Sequence, residues 1–134
     1  MMRAAGIGSM GLATAVIASM TSASSAYAVE IEQLLGRWSV TEYDECQYAD
    51  DSEGAPLKLE RDAEGTHIGN YGWLCTVKAW TKDGDFLLGS AKDCGSEGGD
   101  DTFDEDFVLG LNAQDRLLMS RDDKTGLRRC PAVQ

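Results

Sequence analysis

Four cysteines, one histidine and one dense run of carboxylates are the side chains whose types and spacing bear on chemistry. Cys46, Cys75, Cys94 and Cys130 are an even set, and the nearest two stand 19 positions apart. Zinc sites draw on close Cys pairs or clustered His, and His67 is the single histidine, so no metal site is expected. The spacing reads instead as a disulfide frame, which persists in an oxidising compartment. Four cysteines admit three pairings. If the Lys82 to Gly84 turn makes a hairpin, Cys75 meets Cys94, which leaves Cys46 to join Cys130 and tie the first strand region to the last.

Catalysis is not expected. A Ser or Cys nucleophile needs an oriented base, and His67 accompanies no recognisable nucleophile motif, while disulfide-bonded cysteines offer no thiolate. No phosphate-binding loop or dinucleotide fingerprint is present, so no cofactor is expected. The segment EGGDDTFDED places Glu97, Asp100, Asp101, Asp104, Glu105 and Asp106 within ten residues. The order of its acids does not match the calcium-loop pattern. It reads as a solvated loop between strands or as a docking patch for a basic protein, whose approach a negative potential would speed. Asp44, Glu45, Asp50, Asp51 and Glu53, around Cys46, form a weaker acidic group with the solvated reading.

The whole chain has 134 residues, with 12 Lys and Arg against 23 Asp and Glu, a net charge of −11. That length holds one domain. The acid excess argues against nucleic acid and anionic membrane as partners, since both require a positive surface. Residues 1–28 have the anatomy of a secretory leader: Arg3, an apolar run near Leu12 to Met20, and a small-residue end at Ala26-Tyr27-Ala28. The run is too short and too interrupted by Gly and polar residues to span the roughly 30 Å of a bilayer, so no membrane anchor is expected. Cleavage after Ala28 would release a single domain of residues 29–134 to the periplasm or the exterior. Arg3 is the one charge in the leader, so its loss leaves the mature chain more negative still.

The elements that must hold these residues are strands. Segments near 37–43, 57–61, 66–71, 73–80, 85–91, 105–111, 116–121 and 127–130 alternate or are rich in aromatic and branched residues, and Asp, Asn and Gly stand between them where turns need them. Glu30 to Leu35 alone has helical spacing, for one or two turns, and Gly36 ends it. About eight sequential antiparallel strands favour a small all-β, up-and-down barrel or curled sheet, because closure removes exposed edges. Trp38, Tyr71, Trp73, Trp80, Phe86, Phe103 and Phe107 then either fill the barrel or line a cavity, and the short strands favour a filled one.

Leu35-Gly36-Arg37-Trp38, after a helical turn and at the start of the first strand, resembles the G-x-W entry of lipocalin-like (calycin) barrels. Among short exported members it is most similar to bacterial periplasmic metalloprotease inhibitors, eight-stranded barrels that insert an N-terminal strand into a protease cleft. The resemblance implies that Gly36 admits the chain to the barrel and that Trp38 closes one end. It also implies that an Arg of the last strand, Arg128 or Arg129, packs over the indole. The expected function is that of an exported, disulfide-stabilised binding or inhibitory module acting on a protein partner; a small apolar-ligand carrier and a structural envelope protein are the alternatives.

Overall fold

In the computed structural model, the described residues are 28–132 apart from Thr41, Tyr43 and Glu97. The leader and its cleavage site therefore lie almost entirely outside the described residues, and so does Glu97. The strands are β1 (Gly36–Ser39), β2 (Leu57–Asp62), β3 (Gly65–Asn70), β4 (Trp73–Val77), β5 (Thr81–Asp83), β6 (Phe86–Ser96), β7 (Thr102–Leu111), β8 (Leu117–Leu118) and β9 (Arg128–Arg129). Two 3₁₀ turns, Ile31–Leu34 and Glu45–Gln47, complete the set. The order β8-β7-β6-β4-β3-β2-β1-β9 is antiparallel throughout, with β5 added to β6, and it forms a nearly closed barrel of eight strands. Leu117 and Leu127 exchange both backbone hydrogen bonds, which brings the two edges of the sheet together.

β4 and β5 are two halves of one interrupted strand. Trp73 faces Ser96 and Thr81 faces Leu88, the same register against β6, but the ladder is open between those pairs. The expected continuous strand over 73–80, in which strict alternation would put Ala79 on the face of Trp73, Cys75 and Val77, is thus corrected. Trp73, Cys75 and Val77 share the inner face as expected, whereas Ala79 is exposed and Trp80 takes the inward place. The reason is a hydrogen bond and a space: the Trp80 indole donates to Thr66 Oγ1 at 3.0 Å, and its ring lies where Gly89 has no side chain.

Other boundaries move for comparable reasons. The first strand ends at Ser39 rather than 43, because Ser39 Oγ accepts from Glu45 N and draws the chain into the Glu45–Gln47 turn. β8 is two residues long, since Asp123 accepts from the backbone N–H groups of Met119, Thr125 and Gly126 and folds that segment into a loop. β6 and β7 are longer than expected and carry a bulge at Lys92-Asp93, where Asp93 has φ 57° and its N–H donates to Asp104 Oδ1. The acidic run is consequently no loop beyond Asp101: Asp104, Glu105 and Asp106 stand on β7.

Inward residues form one contiguous core, with Leu34, Trp38, Ile68, Val77, Leu109 and Leu117 fully inaccessible. The interior is filled. Both expected disulfides are present: Cys75–Cys94 links the neighbouring strands β4 and β6 next to the Leu74–Gly95 pair, and Cys46–Cys130 fastens the 40–56 link to the end of the last strand. On a loop-entropy scale the 84-residue span contributes about 4.5 kcal/mol and the 19-residue span about 3 kcal/mol.

A methyl group at position 89 would come within 2.7 Å of the Trp80 ring and of Val77, while one at position 95 meets nothing within 4 Å. Gly89→Ala is expected to destabilise the oxidised protein by about 1–3 kcal/mol in chemical denaturation, and Gly95→Ala to stay close to the parent. Equal effects of the two would remove the wedge as the cause of the open ladder.

Candidate functional site

In an antiparallel meander, alternate connections fall at the same end. The turns 62–65, 83–86 and 112–116 therefore share one end with the Ile31–Leu34 turn, and the connections 40–56, 70–73, 96–102 and 119–127 share the other. The two ends differ in chemistry.

The first end is plugged. Gly36, at φ 129°, turns the chain into β1 with a backbone angle that side chains resist, and Trp38 then points into the core with no exposed surface. Trp38 Nε1 donates to Leu34 O at 2.9 Å. The Arg129 guanidinium lies 4.3 Å from the centre of the indole ring, within cation-π range. Arg129 also donates to Gln33 O and Leu35 O and forms a two-point pair with Asp115. Of the two expected arginines it is Arg129 that covers Trp38; Arg128 reaches outward to Asp44 at 3.4 Å. Arg37, between Gly36 and Trp38, faces the other way. Its guanidinium donates to Asp50, to Cys46 O and to Tyr48 O, so it holds the 40–56 link that the Cys46–Cys130 bond also anchors.

The second end carries a recess of about 390 Å³ lined by Trp73, Phe103, Glu105, Asp106, Phe107 and Met119. Trp73 and Phe107 stack with ring centres 6.2 Å apart and planes 14° from parallel. Alternation along β7 puts Phe103, Glu105 and Phe107 on the inner face, and Asp104 and Asp106 on the outer face. Asp106 accepts from Ser90 Oγ at 2.7 Å. Glu105 is exposed, and its carboxylate has no hydrogen bond or ion pair among the described residues. Asp100 and Asp101, in the β6–β7 connection, are exposed as well. Asp104 and Asp106 thus make the outer face of β7 negative, with Asp100 and Asp101 exposed in the connection before it, and Glu105 separates from them to the rim of an aromatic recess. The sequence listed Trp73, Phe103 and Phe107 as core or cavity residues; Met119 was not singled out, and the inward parity of Glu105 in a strand was the signal that distinguishes it from its neighbours.

A third arrangement lies on the outer face of β2, β3 and β4. His67 Nδ1 meets Thr76 Oγ1 at 2.9 Å and Nε2 meets Asp62 Oδ2 at 2.8 Å, and Glu64 brings a second carboxylate to the same turn. Both ring nitrogens are engaged by the two neighbouring strands, so the row fixes the β2–β3 turn against β4. The backbone N–H of Glu64 and the His67 ring both hold the Asp62 carboxyl below its ordinary value.

Comparison with protein-family models, with curated proteins and with solved structures finds no match to this chain.

Arg129→Lys keeps the charge but loses the planar fork and the stacking, and it is expected to lower stability by about 2 kcal/mol, more than Arg128→Lys does. Equal losses in urea unfolding would deny Arg129 its special place. The pH dependence has a definite sign. The Arg129 guanidinium lowers the carboxyl of Asp115, Lys58 and then Arg37 lower that of Asp50, and in Asp123 burial pushes upward but three backbone N–H groups outweigh it. A carboxyl that is more acidic folded than unfolded adds stability above its unfolded value, and the addition fades as pH falls through the folded one. Thermal stability should therefore decline as pH drops below the ordinary carboxylate value of 3.8, and Asp115→Asn should reduce the size of that decline. An identical acid profile for Asp115→Asn would contradict this assignment.

Proposed function

We propose that the chain is an exported binding module that acts on a basic protein partner and works by docking rather than by catalysis. The observation that carries this reading is the placement of Asp104 and Asp106 on the exposed outer face of β7, in the barrel wall, with Asp100 and Asp101 exposed in the connection that leads into it. The two carboxylates on the paired strand hold their spacing without the ordering cost a flexible loop would incur on binding, and the field of all four accelerates encounter with a positive surface.

Export is supported by the two disulfides, which an oxidising compartment maintains, and by the leader-like residues 1–28. Among the described residues no helix is long and apolar enough to cross a membrane. We read the plugged end, with Arg129 over Trp38 behind a 3₁₀ turn, as supporting the lipocalin-like resemblance drawn from Gly36 and Trp38. The filled interior favours a partner held outside the barrel over an apolar ligand carried within it.

The test is capture from a native envelope extract by the oxidised protein beginning near Val29, at low and at physiological salt, followed by kinetics with the recovered partner. Replacing Asp100, Asp101, Asp104 and Asp106 by Asn is expected to slow association by about tenfold or more at low salt and to flatten its salt dependence. An unchanged association rate would remove these acids as the docking surface.

A further inference from the structure

We infer that the recess between Trp73, Phe103, Phe107 and Met119 receives an arginine side chain of the partner, with Glu105 as its counter-ion; the inference rests on the docking reading and assigns the chemistry of one contact within it.

Three features of the recess select this occupant. Its walls carry three aromatic rings and a thioether, and an aromatic ring attracts a cation to its face through its quadrupole. The carboxylate on the same face as its rings is that of Glu105, so an anion is repelled and a neutral apolar ligand would strip water from it without return. Glu105 and Asp106 differ in readiness: Asp106 already accepts from Ser90, whereas the carboxylate of Glu105, on the inner face of β7 with the aromatic rings, has no partner among the described residues. A volume of about 390 Å³ is near the floor of roughly 300–1,000 Å³ for small-molecule sites and suits a single long side chain.

Arginine fits better than lysine on geometry. A guanidinium is flat, lies against an aromatic face, and offers a two-point fork to a carboxylate, while an ammonium is compact and strongly hydrated. The chain already makes the same combination at its other end, where Arg129 lies over Trp38 and forks to Asp115. The recess brings aromatic rings and a carboxylate together, and no arginine is among its described lining residues. It also adjoins the acidic outer face of β7, so a positive surface attracted by Asp100, Asp101, Asp104 and Asp106 arrives beside it.

The probe is the tripeptide acetyl-Gly-Arg-Gly-amide, titrated into the oxidised mature protein and followed by the Trp73 indole N–H and the Met119 methyl in NMR spectra. The citrulline tripeptide, equal in shape but uncharged, and the lysine tripeptide serve as comparisons. Saturable shifts at both positions with arginine, at least about fivefold weaker with lysine and absent with citrulline, are expected. Glu105→Gln should weaken the arginine titration about fivefold or more, and Phe103→Leu, which keeps apolar bulk but removes a ring, should weaken it comparably. Dispersed spectra of each variant establish that it is folded. Equal shifts from citrulline, or an unchanged affinity in folded Glu105→Gln, would overturn the inference, and equal affinity for lysine would overturn the choice of guanidinium. If no tripeptide titrates while partner capture still depends on the four aspartates, the arginine assignment falls and the docking reading stands; if capture is also indifferent to the aspartates, that reading falls on its own account.

Discussion

The fold depends on closing a sheet whose last strand is two residues long. β9 has only Arg128 and Arg129 to pair with β1, and its side of the sheet meets the β8 edge through the single Leu117–Leu127 bridge, too few backbone bonds to close the barrel alone. What holds it is the Arg129 side chain, which at once covers Trp38, donates to the carbonyls of Gln33 and Leu35 and pairs with Asp115. First strand, last strand, N-terminal turn and the β7–β8 turn meet at this one guanidinium. The adjacent residue, Cys130, adds a covalent tie to Cys46 and a backbone bond to Arg37 O. Cation-π attraction is modest in isolation, but here it shares its atoms with several hydrogen bonds and is partly shielded from water.

Plugging one end this way leaves the other to differ. The Ile31–Leu34 turn, packed by Ile31 and Leu34 and flanked by the exposed pairs Lys82 with Glu30 and Arg61 with Glu32, occupies the first end. Those surface ion pairs add little stability, and the packing does most of the work of closure. At the second end β7 extends past β8 while β6 ends level with the start of β4, and the acids of β7 divide by strand parity: Asp104 and Asp106 outward, Glu105 inward among rings. A single alternation thus makes a charged outer surface and an aromatic recess with a carboxylate at its rim. Rigid elements position both, and this is the basis for treating that end as the functional one.

The bulge at Lys92-Asp93 and the open ladder between β4 and β6 are linked departures from a regular barrel. The Trp80 ring enters the wall where Gly89 leaves room, and β6 continues past the opening to the Cys75–Cys94 bond, which rejoins the two strands. A disulfide directly beyond an interruption restores the connection that backbone bonds cannot supply there. The cost of the irregularity is borne by glycine: Gly89 and Gly110 both lack side chains where the Trp80 and Phe86 rings sit.

The sequence by itself determined the class of the fold, because alternation at period two and turn residues at fixed places are local constraints; it admitted three cysteine pairings, and the hairpin that favours Cys75 with Cys94 became a fact only in the structure. It identified two arginines that could cover Trp38, and it identified the acids of the 97–106 run as a group. Only the tertiary structure decided between Arg128 and Arg129, since one residue of register exchanges inside for outside. For the same reason only the structure separated Glu105 from Asp104 and Asp106, once β7 was seen to begin at Thr102 and not at 105. Trp80 took the place that alternation assigned to Ala79 because a hydrogen bond to Thr66 and the space at Gly89, both distant in sequence, outweighed the local pattern. Those are contacts between strands, and no pattern along a single strand encodes them.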